Sequence, residues 1–180
     1  MSPIETLLRR FGRNQSGAGA VEFALIAPLM LTIYLGTFEV TQGLAMDRLV
    51  KLNASTITNL VAQYTTISAS NDFPDLFAAT AKIMAQYPTA SPTTVVSCIT
   101  IDANGNATVT WSEASGGAAR PVGQSITLPT ALDQPNTQLV LGETSLAYKS
   151  PIQFLPIGTW NLYGATYMFP RASSNINLTT

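Results

Sequence analysis

Glu22 is the only charged residue between Ala18 and Phe38, a segment of 21 residues. A carboxylate at the centre of a lipid-embedded helix costs about 2.5–3.5 kcal/mol, and less near the interface. Such a group is either a tolerated interfacial charge or one placed to meet a partner. Few other residues offer chemistry. Histidine is absent, which removes Ser-His-Asp, Cys-His and His-ligated metal arrangements. Cys98 is the single cysteine, so no intrachain disulfide can form. It reads as a small buried hydrophobe in a strand, with a reactive thiol or an intermolecular bridge as the sharper alternative. Asp102-Ala103-Asn104-Gly105-Asn106 alternates oxygen donors, and the twelfth residue counted from Asp102 is Glu113, as a calcium loop requires. The glycine stands fourth instead of sixth, however, and the segment reads as a hairpin turn. Asp72 and Asp75 make no better metal pair. No phosphate-binding loop and no acid–base pair emerge. We therefore expect no metal, no cofactor and no enzymatic activity.

The elements that position Glu22 follow from charge and hydropathy. Lys and Arg number 9 against 10 Asp and Glu, a formal net charge of −1, and only 11% of residues are charged while 46% are hydrophobic. Soluble domains carry about 25% charged residues, so this composition points to a membrane segment or an exported surface. The absence of a basic excess argues against nucleic acid as a partner.

Phe23 to Phe38 reads FALIAPLMLTIYLGTF, without a charge. At about 1.5 Å per residue, Ala18 to Phe38 is just long enough to cross a bilayer core of about 30 Å. Arg9, Arg10 and Arg13 precede it against Glu5 alone. This predicts a cytoplasmic N-terminus and export of the chain beyond Glu39. The helical pattern continues past the membrane edge. Asp47 and Lys51 are spaced i, i+4, and Val50, Ile57, Val61 and Tyr64 form one apolar stripe. One helix over 18–66 is expected, its membrane part at about 18–40, with Pro28 kinking it. Ala20, Ala24 and Ala27 would allow close helix approach in lipid.

Beyond the helix, Ser70-Asn71-Asp72 signals a second helix over Phe73 to Tyr87, ended by Pro88. Val95 to Ile101, Ala107 to Trp111, Leu139 to Tyr148 and Trp160 to Phe169 read as strands, the first two joined by the turn at 103–106. Ser115 to Pro121 reads as an exposed loop. The expected fold is α+β: a long N-terminal transmembrane helix packed on a small head, with one further helix and an antiparallel sheet of about four strands. The expected organisation is a basic leader at 1–17, the long helix at 18–66 and an exported head at 67–180. Trp111, Trp160, Tyr163, Tyr167 and Phe169 are expected in the core or half-buried on strands, with an adhesive patch as the alternative.

Residues 17–40, GAGAVEFALIAPLMLTIYLGTFEV, resemble the start of TadE-like proteins, pseudopilins of tight-adherence (Tad/Flp) pilus systems. The pattern is a basic leader, Gly17, four small or apolar residues from Ala18 to Val21, then Glu22 and Phe23. The likeness runs on through Ala24, Ala27, Pro28 and Leu29 to Glu39. More loosely, it takes in TVTWSEA at 108–114, LPTAL at 128–132, GETSLAYKSPI at 142–152 and YGATYMFPR at 163–171. Longer relatives carry a von Willebrand-type domain, for which this chain is too short, so the TadG-type role is not expected.

The resemblance implies cleavage by a prepilin peptidase between Gly17 and Ala18. Removing 17 residues that hold three arginines and one glutamate from a chain of 180 leaves 163 residues and a formal charge of −3. The free Ala18 amine would then meet the Glu22 carboxylate of a neighbouring subunit, with Phe23 beside it. The implied partners are the peptidase, the major Flp pilin, other pseudopilins and the inner-membrane assembly platform. The implied location is the bacterial inner membrane, with a periplasmic head and incorporation into the pilus as a further stage. Other readings of the same segment stay open. One is an uncleaved single-pass anchor for a periplasmic binding or scaffold protein. Another is a secretory signal peptide with Gly43-Leu44-Ala45 as its exit, and a third is an adhesive subunit at the pilus tip.

Overall fold

The computed structural model describes residues 17–85, 91–156 and 158–180. Arg9, Arg10 and Arg13, expected in a leader, and Pro88, expected to end the second helix, lie outside the described residues. Helix α1, Ala18–Val61, is a single element of 44 residues, about 66 Å long at 1.5 Å per residue. It is followed by β1 (Thr66–Ser68), α2 (Asp72–Ala81), a 3₁₀ turn (Lys82–Met84), β2 (Thr93–Ile101), β3 (Ala107–Ser115), a second 3₁₀ turn (Thr130–Leu132), β4 (Thr137–Lys149), β5 (Thr159–Met168) and β6 (Asn177–Thr179). The α+β expectation holds in its parts: the long apolar helix, one further helix and a four-stranded antiparallel sheet in the order β3-β2-β4-β5.

The halves of α1 differ in what surrounds them. Apolar side chains from Val21 to Tyr34 are exposed, whereas Met46, Val50, Ala54, Ile57 and Val61 are fully buried. The second set recurs at spacings of three and four and packs on one face of the sheet; it contains Val50, Ile57 and Val61 of the stripe read from sequence and adds Met46 and Ala54. Val96, Cys98, Val140, Leu146 and Tyr148 supply that face. Gly142 brings the surfaces together: a Cβ there would overlap Thr58 Oγ1 and stand 2.9 Å from the Ala54 carbonyl oxygen. Asn53, buried in the seam, donates through Nδ2 to Thr94 Oγ1 (3.0 Å) and Thr144 Oγ1 (3.1 Å), and so fixes the helix against β2 and β4.

Three features differ from the sequence reading. Helix α1 stops at Val61, because the C-terminal segment takes over its end. Arg171 N–H donates to the Ala62 carbonyl, Asn177 N–H donates to that of Thr65, and β1 pairs in parallel with β6. Thr66 is therefore in a strand and not in the helix. The second helix is α-helical only to Ala81 and tightens into 3₁₀ over Lys82–Met84. The third lies beyond the loop at Ser115 to Pro121, which is exposed as expected apart from the half-buried Arg120. Ile126, Leu128 and Leu132, to which the sequence reading gave no place, lie on the outer sheet face over Ile99, Ile101, Leu139 and Leu141, so this face is partly covered and not solvated throughout.

Cys98 has no exposed surface, and burial pushes its thiol up to about 12. Trp111 is buried, edge-on to Phe73 at 5.9 Å, and its indole N–H donates to the Ile176 carbonyl. Tyr163 and Phe169, in contrast, are exposed.

Candidate functional site

Gly17, Ala18, Glu22, Phe23 and Pro28 all fall on the exposed end of α1. Gly17 is the N-cap residue, and among the described residues no atom lies within 4 Å of where a Cβ would stand. The Gly17–Ala18 bond lies at the start of α1. Glu22 is one turn further along the helix, since four residues rise about 6 Å. It is exposed and makes no hydrogen bond or ion pair with the described residues. Phe23 is 72% exposed. Pro28 lies inside the helix without ending it, and Thr32 Oγ1 donates to the Pro28 carbonyl at 2.8 Å.

The apolar helix half is long enough to cross a membrane and has no cover from its own head. Bare surface of this kind on a helix requires lipid or other helices around it. It is the one helix among the described residues with the length and composition of a membrane anchor, which suggests that the chain is held in a membrane through it.

A second carboxylate lies at the other end of the apolar run. Glu39 is 3% exposed. Its Oε1 accepts from Ser150 Oγ (2.9 Å) and Phe154 N–H (2.7 Å), and its Oε2 accepts from Leu155 N–H (2.8 Å). Gln153 has φ +50°, the left-handed region that non-glycine residues enter at a cost of about 1–2 kcal/mol. The turn it makes brings the next two amides together on the carboxylate, an anion-binding arrangement of successive N–H groups. Glu39 thus latches the loop between β4 and β5 to the helix. Helix, loop and the start of β5 border a cavity of about 320 Å³ lined by Glu39, Tyr148, Lys149, Gln153, Leu155 and Trp160. Sequence alone marks Glu39 only as the end of the apolar run, because its three donors are 111 to 116 positions away.

The head holds one more polar cluster. Glu143 on β4 accepts from Arg120 Nε and Nη2, each at 2.7 Å, and from the Tyr163 hydroxyl at 2.6 Å. Burial pushes the Glu143 carboxyl up, but the bonds from Arg120 and Tyr163 with the guanidinium charge hold it below the usual carboxylate value. Burial and then the same carboxylate push the Tyr163 phenol up. A cavity of about 270 Å³ opens here on the outer sheet face. The cluster ties the β3–β4 segment to the sheet.

Asp102 sits in the β2–β3 turn. Its Oδ1 accepts from the Asn104 and Asn106 amides at 2.8 Å, and its Oδ2 accepts from Asn106 Nδ2 at 2.9 Å. These bonds, the Asn106 side chain first, hold its carboxyl below the usual value. Glu113 lies opposite Val96, near the far end of the hairpin. The two carboxylates counted together in sequence are thus kept apart by the strand pairing.

The model of the family described as TadE-like protein matches residues 17–50. The match covers the exposed half of α1 and the Glu39 latch, and ends at Val50, where the head already buries the helix. The N-terminal segment is thus similar to that of TadE-like proteins. No curated protein and no solved structure matches the chain.

Proposed function

We propose, from the TadE-like identity of residues 17–50, that this chain is a minor pilin or pseudopilin that initiates, assembles or caps a bacterial Tad/Flp pilus. A prepilin peptidase cuts between Gly17 and Ala18. The new Ala18 amine then meets the Glu22 carboxylate of a neighbouring subunit. Two opposite charges brought into an apolar helix bundle need each other, since either alone carries a desolvation penalty of several kcal/mol. The head faces the periplasm and selects partners among the Flp pilin, other pseudopilins and the assembly platform. No catalytic step is required of the chain itself.

The carrying observation is the geometry of α1. An exposed apolar half-helix begins at Gly17, bears one carboxylate a turn inside its start, and runs unbroken into a folded head. In the expected outcome, Glu22→Ala inserts normally and accumulates, but pili or chain incorporation are lost. Gly17→Val keeps the full-length mass. Normal piliation by Glu22→Ala would refute the assembly role, and an unchanged mature mass for Gly17→Val would refute the cleavage site.

A second reading has one observation in its favour, the cavity beside Arg120, Glu143 and Tyr163. In that reading the chain is an unprocessed, inner-membrane-anchored binding or scaffold protein. The N-terminal sequence of protein isolated from its own membrane separates the two. Ala18 as first residue supports assembly, and Met1 supports the tether.

A further inference from the structure

The loop segment from Ser150 to Pro156 is fastened to α1 at a particular height. Glu39 holds its Ser150 hydroxyl and its Phe154 and Leu155 amides, and a Leu155 methyl stands 3.6 Å from where a Cβ on Gly36 would be. Counted from Ala18, Gly36 is the nineteenth helical residue, about 27 Å along the axis at 1.5 Å per residue. A hydrocarbon core is about 30 Å thick. The loop is therefore tied down at the depth where an anchored α1 leaves the hydrocarbon, on the side of the head.

Its composition suits that depth. Pro151, Ile152, Phe154 and Pro156 are exposed, with Ile152 at 45% and Phe154 at 42%. The helix surface at the same level continues the patch through Phe38 and Val40, at 39% and 40% exposure. The exposed Lys149 adjoins the loop at the end of β4, and the half-buried Trp160 follows it on β5. Cationic and indole side chains of this kind favour the headgroup layer. The loop's polar backbone is partly satisfied by Glu39, which lowers the cost of bringing it near lipid.

We propose that the loop segment 150–156 dips into the leaflet on the head's side and is a second membrane-contacting element beside α1. Its occupant is lipid, because the loop's apolar surface is continuous with that of the membrane helix and fixed level with the helix's exit. The inference rests on the membrane-anchor reading of α1. Its effect is to set the tilt of the head against the bilayer. The head therefore meets a partner subunit in one orientation and does not swing on a bare helix.

The test uses the full chain in phosphatidylethanolamine/phosphatidylglycerol vesicles, with an environment-sensitive fluorophore on a single introduced thiol. Cys98 does not compete, because it is fully buried. Phe154→Cys and Ile152→Cys are the two reporting sites, both on exposed side chains. Leu29→Cys reports the helix. Val122→Cys reports the head remote from lipid: Gly123 bonds to Val109, which pairs with Ile99 and through it Leu139, ten residues along β4 from Lys149. That is about 33 Å at 3.3 Å per residue.

The expected result is blue-shifted emission at 152 and 154 that is lost to nitroxides at shallow lipid positions. Quenching should come from deep nitroxides at 29 and from none at 122. Water-like emission at 152 and 154 with deep quenching at 29 overturns the loop proposal alone. Blue-shifted emission that no lipid nitroxide quenches also overturns it, in favour of a protein cover. Failure of lipid quenching at 29 overturns the anchor reading and the loop proposal with it.

Discussion

Two glutamates bracket the apolar run of α1, and their surroundings give them different tasks. Glu39 has three in-chain donors and 3% exposure, whereas Glu22 is exposed and has no described partner. A carboxylate already satisfied inside its own chain is a structural latch, and the proposed assembly role gives the exposed one on an apolar surface a counter-charge to meet. The latch makes a prediction of its own. Glu39→Leu removes the acceptor for two backbone amides and one hydroxyl. Donors left without partners cost about 1–3 kcal/mol each when they stay buried, so the loop should open instead. Hydrogen exchange at Phe154 and Leu155 should then accelerate by about 10–100-fold, with exchange in β2 and β4 unchanged. Glu39→Gln, which keeps an acceptor oxygen, should fall between that variant and the parent. Unchanged exchange at both amides in Glu39→Leu would show that the carboxylate does not hold the loop.

Among the elements, the α1–sheet seam carries the fold, and its closeness depends on small residues facing each other. A Cβ at Gly142 would meet Thr58 Oγ1 and the Ala54 carbonyl, and a Cβ at Gly43 would overlap the Trp160 ring. The two positions should respond differently to alanine. At Gly43, in the helix, alanine recovers about 1 kcal/mol of helix propensity against the overlap with a side chain. At Gly142, in a strand, nothing of that kind offsets a clash that includes backbone. We expect Gly142→Ala to destabilise the full chain in detergent by about 1–3 kcal/mol, as overpacking does, and to lower its thermal midpoint more than Gly43→Ala does. Equal midpoints for both variants would contradict so close a seam at Gly142. The same elements show what the sequence made legible. The stripe of Val50, Ile57 and Val61 and the turn at 103–106 are local patterns, and local patterns can be read. The parallel pair of Thr66–Ser68 with Asn177–Thr179 is three residues long and joins distant parts of the chain, too little signal for a period-two pattern. Ile126, Leu128 and Leu132 are spaced by two and four but are interrupted by Pro129, so they did not read as a strand and their cover of the sheet's outer face was invisible. For the candidate site, the relation of Gly17 to Glu22 is one of spacing and so can be proposed from sequence, whereas the Glu39 latch needs donors that only the tertiary fold delivers.

The whole molecule is a rod with a bare apolar end and a head wrapped on the other, so its orientation in the membrane decides which compartment the head occupies. The bias comes from basic residues close to the span, and here it is narrow. Arg9, Arg10 and Arg13 precede Ala18 by at most nine positions, while Arg48 and Lys51 follow Phe38 by ten and thirteen. Positive charges count within about 15–20 residues of a span's ends, and acidic ones such as Asp47 contribute little. Three against two favours a cytoplasmic N-terminus, and replacing all three arginines by serine reverses the balance to none against two. A reporter belongs on a flexible linker after Thr180, because Asn177–Thr179 are held by β1 and the chain end must not be pulled from that pairing. With the parent sequence, a phosphatase that matures only in the periplasm should be active there, and a fluorescent protein that matures only in the cytoplasm should be dark. In the triple serine variant the phosphatase signal should fall and the fluorescence rise, at unchanged membrane content. A parent fusion that is fluorescent and phosphatase-negative would put the head in the cytoplasm. The Gly17–Ala18 bond would then face the periplasm, away from its proposed peptidase, and the assembly role would lose its first step.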